Sequence, residues 1–171
     1  MKFLAILFSL LFSVNVLAQT GKVTDDFLKT IETTGLQYYK LKKNGDKSLK
    51  LLRPNMIPNE KMIVFNGDHV QLISLGYTTT MHIPNAGYNG MDVTNSFAML
   101  YAKKTNEDHL TYIGYYPAKK DQISIAPFKK FGAMYLKDYP QLASKVSKKV
   151  KGYTRYDAVA VFEEYDAWLN K

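Results

Sequence analysis

The sequence predicts an α+β fold in which a β-rich front part is closed by C-terminal helices. Residues 36–116 consist of short runs rich in β-branched and aromatic residues, separated by Asn-Gly and other polar turns. This pattern is typical of an antiparallel β meander or a small barrel-like sheet. Residues 127–170 instead repeat apolar side chains at three- and four-residue spacing, which is the period of an amphipathic helix. We therefore expect a single globular domain with helices packed on a sheet.

Length and composition limit what stabilises this domain. The chain has 171 residues, a formal net charge of +8 and no cysteine. This length suits one domain with its own hydrophobic core. The lack of cysteine excludes a disulfide framework, a thiolate zinc site, a cysteine nucleophile and a lipoprotein anchor. We expect packing alone to stabilise the fold.

The N-terminal segment has the pattern of a secretory signal peptide. Lys2 precedes an apolar run at residues 3–12, and Ala18 ends a small-residue cleavage pattern. We expect residues 1–18 to be removed and the mature domain, residues 19–171, to reach the periplasm or be secreted. No later apolar run has the roughly 20 residues that a spanning helix needs, so we expect no transmembrane segment in the mature chain.

A short helix and six strands are expected in the front part. The helix covers residues 25–32, with Thr24 or Asp25 as its cap. The expected strands are residues 36–41, 48–52, 61–65, 70–75, 97–102 and 110–116, with a possible continuation at 79–83. Asn-Gly pairs at residues 44–45 and 66–67 form two of the turns, because these residues accept the positive φ of a type I′ turn. Residues 85–95 are expected to form a long loop.

Three helices are expected in the last third of the chain. Pro127 and Pro140 suit first helical positions, and the third helix covers residues 155–170. We expect the second helix to end at Lys151-Gly152. The apolar stripes are Phe128, Phe131 and Tyr135 in the first helix, Leu142, Val146 and Val150 in the second, and Ala158, Val161, Phe162, Tyr165 and Leu169 in the third. These stripes are expected to pack on the sheet rather than to bind a cofactor.

The helical tail also carries several short motifs in a fixed order. They are Asp138-Tyr139-Pro140-Gln141-Leu142 before a lysine-rich helix, then Gly152-Tyr153, Asp157, Ala158-Val159, Glu164-Tyr165 and Trp168. With this pattern, residues 116–168 resemble a C-terminal module of uncharacterised exported bacterial proteins. That module usually has Asn where this chain has Asp166. The resemblance implies an exported protein with a β-rich front part and a helical tail, and it implies no activity.

The basic excess is confined to one stretch of the chain. Residues 119–151 contain nine lysines and two aspartates, a charge of +7 that equals the charge of the whole mature chain. Lysine attracts anions diffusely, without the directed fork of arginine. Because an exported protein meets little nucleic acid, we expect a protein or an anionic envelope component as the partner rather than nucleic acid. The alternative is a solvated face that only keeps the protein soluble. The candidate binding lysines are Lys129, Lys130, Lys145, Lys148 and Lys149.

Two tyrosines near the expected long loop complete the candidate binding residues. Tyr77 precedes the loop and Tyr88 lies within it. Exposed tyrosines favour contacts with proteins or glycans, because they combine apolar area with a polar tip. Strand propensity explains most of the 13 tyrosines without any ligand.

No catalytic or metal-binding motif stands out. His69, His82 and His109 lack metal-type spacing, and the chain has no Gly-x-Ser-x-Gly elbow and no phosphate loop. We therefore expect no cofactor, no metal and no catalytic residue. The preferred function is an exported, non-catalytic binding or accessory protein of the bacterial cell envelope. The alternatives are a periplasmic inhibitor or immunity-type protein, and a small hydrolase that uses His69 or His82 with Asp92.

Overall fold

Six strands form one mixed sheet with helices on both faces. The computed structural model describes residues 21–52, 58–84, 91–116 and 127–171, so the expected signal peptide lies outside the described residues. The strands are β1 Leu36–Leu41, β2 Lys47–Leu52, β3 Glu60–Asn66, β4 Val70–Ile83, β5 Met91–Lys104 and β6 Leu110–Tyr116. The helices are α1 Asp25–Thr34, α2 Pro127–Tyr135, α3 Pro140–Ser147 and α4 Ala158–Leu169, with a 3₁₀ turn at Arg155–Asp157 before α4. The predicted α+β class with mostly C-terminal helices is confirmed.

The strand order is β2-β1-β6-β5-β4-β3. Strands β3 to β6 form the predicted antiparallel meander, and β1 and β2 form an antiparallel hairpin. The hairpin joins the meander through β1, which runs parallel to β6 with Tyr38 opposite Leu110. The sequence prediction did not include this parallel pairing. Since no pairing among the described strands joins β2 to β3, the described sheet is open, which favours the meander over the barrel-like alternative.

The β4–β5 hairpin is longer than predicted. Both strands have 14 residues, and the pairing continues to Ile83 opposite Met91. The long loop predicted for residues 85–95 is therefore wrong for residues 91–95, while residues 85–90 lie outside the described residues. Polar cross-strand contacts support the extension, such as the 3.1 Å hydrogen bond between the hydroxyls of Thr80 and Thr94.

Each face of the sheet has its own hydrophobic core. On one face, α2, α3 and α4 cover a cluster that includes Leu72, Leu100, Ile113, Phe128, Leu136, Leu142, Phe162 and Tyr165. On the other face, α1 covers a cluster that includes Leu28, Ile31, Leu36, Ile73, Leu75, Tyr101 and Leu110. Thr24 caps α1 by accepting a 3.2 Å hydrogen bond from the backbone N–H of Phe27. Because alternate residues of a strand point to opposite faces, β4 and β5 contribute to both cores.

Helix α3 ends earlier than predicted. It stops at Ser147, and Lys149 adopts a φ of 54°. The N–H of Val150 then donates to the carbonyl of Lys145, and the N–H of Lys149 donates to that of Val146, which closes the helix with a Schellman motif. Val150 is consequently 42% exposed, so its predicted place in the buried stripe is wrong. No helix in the described ranges is long and apolar enough to cross a membrane.

A carboxylate from α4 holds the turn between β3 and β4. Asp166 is 7% exposed and accepts hydrogen bonds from the backbone N–H groups of Asp68, His69 and Val70 at 2.9, 2.7 and 2.9 Å. A Cβ atom on Gly67 would lie 2.5 Å from the Asp166 Cγ atom, so only glycine leaves room for this carboxylate. Asp166 therefore connects the helical tail to the sheet.

Candidate functional site

A surface groove separates α2 from α3, which are joined by a turn at residues 136–139. The groove has a volume of about 680 Å³. Its lining residues are Lys129, Lys130, Ala133, Met134, Lys137, Pro140, Ala143, Ser144 and Ser147. The three lysines are exposed, whereas the two alanines and Met134 are half-buried. Apolar atoms therefore form the floor of this α2–α3 groove, and lysine amines surround it.

The groove follows from the outward faces of two amphipathic helices. In α2 and the start of the turn after it, the burial of Phe128 and Tyr135 against the sheet leaves positions 130, 133, 134 and 137 facing the groove. In α3, the burial of Leu142 and Val146 leaves positions 140, 143, 144 and 147 outward in the same way. Both outward sets follow the i, i+3, i+4, i+7 spacing of one helix face. This repeated spacing is the sequence signal that could have identified the groove and Lys137, which was not among the candidate binding residues.

All charged residues that the described parts of the chain contribute to the groove are lysines. Among the described residues, no carboxylate forms an ion pair with Lys129, Lys130 or Lys137. The amine of Lys130 also lies 5.2 Å from the ring centroid of Phe131, a cation–π contact that leaves its formal charge in place. Three lysines without a carboxylate partner in the described ranges, beside an apolar floor, create a local positive potential that attracts anions.

The other candidate lysines lie outside the groove. Lys145 donates to the Tyr153 hydroxyl at 2.9 Å and to Glu164 at 3.1 Å, and these two contacts raise the pKa of its amine. Its charge is thus already compensated within the fold. Lys148 and Lys149 are exposed in the turn after α3 and do not line the groove. The structure therefore brings only Lys129 and Lys130 of the five predicted lysines together.

The expectation that Tyr77 is exposed is wrong. Tyr77 is 5% exposed and stacks on Phe97 with ring centroids 5.3 Å apart, because β4 continues through this position and turns the side chain into the core under α1. Burial raises the pKa of Tyr77 to about 12. Its hydroxyl makes no hydrogen bond of ordinary geometry among the described residues, although the Tyr101 hydroxyl lies near enough to interact with it. Tyr88 lies outside the described residues.

A second, smaller pocket adjoins the groove at Pro140. Its volume is about 500 Å³, and its lining residues are Tyr139, Pro140, Gln141, Trp168 and Lys171. Trp168 stacks on Tyr139 with centroids 4.8 Å apart and on Tyr165 with centroids 5.9 Å apart. Pro140 lines both cavities, so the only tryptophan of the chain lies beside the α2–α3 groove.

The residues of the hydrolase alternative are only partly brought together. His82 and Asp92 are cross-strand neighbours on the β4–β5 hairpin, and His82 Nδ1 lies 2.7 Å from Asp92 Oδ1. Both side chains are more than half exposed, at 59% and 67%. His69 lies at the opposite end of β4, where its Nε2 atom is 2.7 Å from Asn170 Oδ1. In the described parts of the chain, no three His, Asp or Glu residues are placed to hold a metal ion.

A network of charged and hydroxyl groups links the helices to the sheet. Asp138 accepts hydrogen bonds from the Lys104 amine at 2.6 Å and from the Tyr165 hydroxyl at 2.6 and 2.7 Å. Burial alone raises the pKa of Asp138, but these hydrogen bonds outweigh it and leave the pKa below its usual range. Nearby, Glu107 accepts a 2.9 Å hydrogen bond from the hydroxyl of Tyr135, whose pKa is raised by burial and by the carboxylate. Because its charged groups are paired with each other, this network acts in folding rather than in binding.

Comparison with known proteins adds no relative to this description. No protein-family model, curated protein or solved structure matches the chain.

Proposed function

We propose that this chain is an exported, non-catalytic binding or accessory protein of the bacterial cell envelope. Its binding surface is the α2–α3 groove, and its partner is a protein or another envelope component that presents negative charge. The observation that carries this proposal is the group of three lysines, Lys129, Lys130 and Lys137, which line an apolar floor and form no ion pair with any described carboxylate.

Two features support binding over catalysis. The described residues that line the groove are lysine, serine and apolar residues, and none of them is a carboxylate or histidine that could act as a general acid or base. The His82–Asp92 pair lies on an open strand surface, where water competes with any substrate for its hydrogen bonds. Hydrolysis at that pair would need a cleft to position the substrate.

A charge-reversal experiment with a matched control tests the proposal. The mature protein carries Lys130→Glu and Lys137→Glu in one variant and Lys40→Glu and Lys50→Glu, two exposed lysines of the β1–β2 hairpin, in the other. Both variants change the net charge equally, but only the first changes the groove. We expect binding to solubilised envelope components, quantified at about 50 mM and about 300 mM salt, to fall only in the groove variant and to weaken with salt.

Two results would contradict the proposed function. Equal losses in both variants would mean that net charge alone governs binding. Unchanged binding in both would mean that the lysines only keep the protein soluble. Export is tested separately by N-terminal sequencing of the protein from the periplasmic fraction, where we expect the chain to begin at Gln19.

A further inference from the structure

We infer that the α2–α3 groove binds an acidic amphipathic helix contributed by a partner protein. This inference rests on the proposed function and specifies its partner. The occupant would place apolar side chains on the floor formed by Ala133, Met134 and Ala143, and carboxylates beside the three lysines. This is the helix-in-groove mode of peptide recognition.

The dimensions of the groove suit a short helix. Helix α2 has nine residues and α3 has eight, so the groove between them runs for about 13 Å at a rise of about 1.5 Å per residue. That length accommodates between two and three turns of a third helix. The floor is built largely from small side chains, including Ala133, Ala143, Ser144 and Ser147. Small residues let the backbone of a packed helix approach closely, while flexible Met134 adapts to the apolar side chains of the occupant.

Charge complementarity selects an acidic occupant. Lys130 lies on α2 and Lys137 in the turn that follows it, and both line the groove. A helix with carboxylates on its flanks would place negative charge beside both lysines. Because no carboxylate of the described fold neutralises these amines, the occupant would not have to displace an internal partner. Lys145, which is already paired with Glu164, would contribute nothing.

The composition of the floor favours a helix over a lipid surface. The apolar lining consists of four residues in a shallow depression, enough to cover two or three side chains but not an acyl chain along its whole length. The serines on the α3 side offer hydroxyl groups that an acyl chain cannot use. A lipid surface would also need the positive charge on a flat or protruding face, whereas here it surrounds a depression.

The experiment uses two designed peptides and one vesicle as probes of the mature protein. The first peptide is an acidic helix of about 14 residues with Leu at i, i+3, i+4 and i+7 and Glu on both flanks. The second replaces each Leu by Ser and keeps every Glu. The vesicle contains equal parts of an anionic and a neutral phospholipid. Trp168 fluorescence and the methyl resonances of Ala133, Met134 and Ala143 report the occupied surface.

We expect the leucine peptide to shift these methyl resonances and to bind at least about tenfold more tightly than the serine peptide, a difference of about 1.4 kcal/mol. Lys137→Glu should weaken the binding of the leucine peptide by a similar factor, whereas Lys50→Glu should leave this binding unchanged. The inference would be overturned if the two peptides bound equally well, or if the leucine peptide shifted resonances only outside the groove. It would also be overturned if the protein bound the vesicle but not the leucine peptide. If the leucine peptide does not bind while the groove variant still loses its envelope partner, the helix inference fails and the proposed function survives.

Discussion

The strongest test of the fold is the carboxylate of Asp166, which holds the β3–β4 turn from α4. We expect Asp166→Ala to lower the free energy of unfolding by about 2–5 kcal/mol. A buried donor that loses its partner costs about 1–3 kcal/mol, and the mutation removes the partner of three N–H groups. The N–H group of Val70 bears the full cost of losing its acceptor, because Val70 is 0% exposed. The N–H groups of Asp68 and His69 bear a smaller cost, because water can reach these residues.

Asp166→Asn removes the charge of this side chain and keeps its shape. The amide keeps one acceptor oxygen, which serves His69 and Val70, but turns its NH₂ group toward the N–H of Asp68. We expect a loss of about 1.5–3 kcal/mol, the range for a hydrogen bond to a charged group. Urea unfolding at pH 7 measures both variants, with Asp92→Asn on the exposed hairpin as the control.

The stability that Asp166→Asn loses relative to wild type should also depend on pH. Burial raises the pKa of Asp166, but hydrogen bonds from the backbone N–H groups of His69, Asp68 and Val70 outweigh it, so the folded pKa lies below the ordinary value. The stabilisation is therefore fully present above the unfolded pKa, about 3.9, and is lost as the pH falls through the lower folded pKa. The gap between wild type and Asp166→Asn should stay constant between about pH 5 and pH 7 and shrink below about pH 4.

Gly67→Ala provides an independent check on the same contact. The new Cβ would lie 2.5 Å from the Asp166 Cγ, so the carboxylate must move. We expect the substitution to destabilise the wild type but to cost much less in the Asp166→Ala background, where the obstructing group is gone. Three results would refute the reasoning. The stability losses of Gly67→Ala and Asp166→Ala could be additive, or Asp166→Asn could lie within about 0.5 kcal/mol of wild type. The third is a stability difference between wild type and Asp166→Asn that does not change in acid.

Three further predictions follow from other contacts. Tyr77→Phe should leave the urea midpoint unchanged or raise it, because the buried hydroxyl makes no ordinary hydrogen bond; a loss above about 1 kcal/mol would contradict this. Glu107→Gln should lower the free energy of unfolding by about 1–3 kcal/mol in the same assay, since Glu107 accepts bonds from Tyr135 and from the Lys104 backbone. Lys145→Glu should leave groove binding unchanged in the peptide titration, because Lys145 lies outside the groove; a loss like that of Lys137→Glu would refute this.

The local pattern of the sequence predicted most elements of the fold. Strands β1 and β6 have the predicted bounds, and α2 and α3 begin at the two prolines as expected. These features depend on neighbours within a few residues, such as the turn at Gly45 with its φ of 88°. The predicted end of α3 was wrong because a lysine, Lys149, adopts the left-handed conformation that the sequence favoured for Gly152.

Contacts between distant residues were harder to predict. The parallel pairing of β1 with β6 joins residues about 70 positions apart, and no local pattern encodes it. The extension of β5 to Met91 depends on partners in β4, which convert a loop-like composition into a strand. Tyr77 was expected to be exposed beside a loop, and the continuous strand instead turns its side chain into the core.

By itself, the sequence determined that the chain forms an α+β fold without disulfides, with its basic excess between residues 119 and 151. Only the tertiary structure decided which of those lysines line the same groove. Lys145 is neutralised by Glu164, whereas Lys129, Lys130 and Lys137 surround an apolar floor. The physical reason is that the sequence gives only the number and order of the charges, whereas their interaction depends on the distance between them. The packing of α2, α3 and α4 sets those distances.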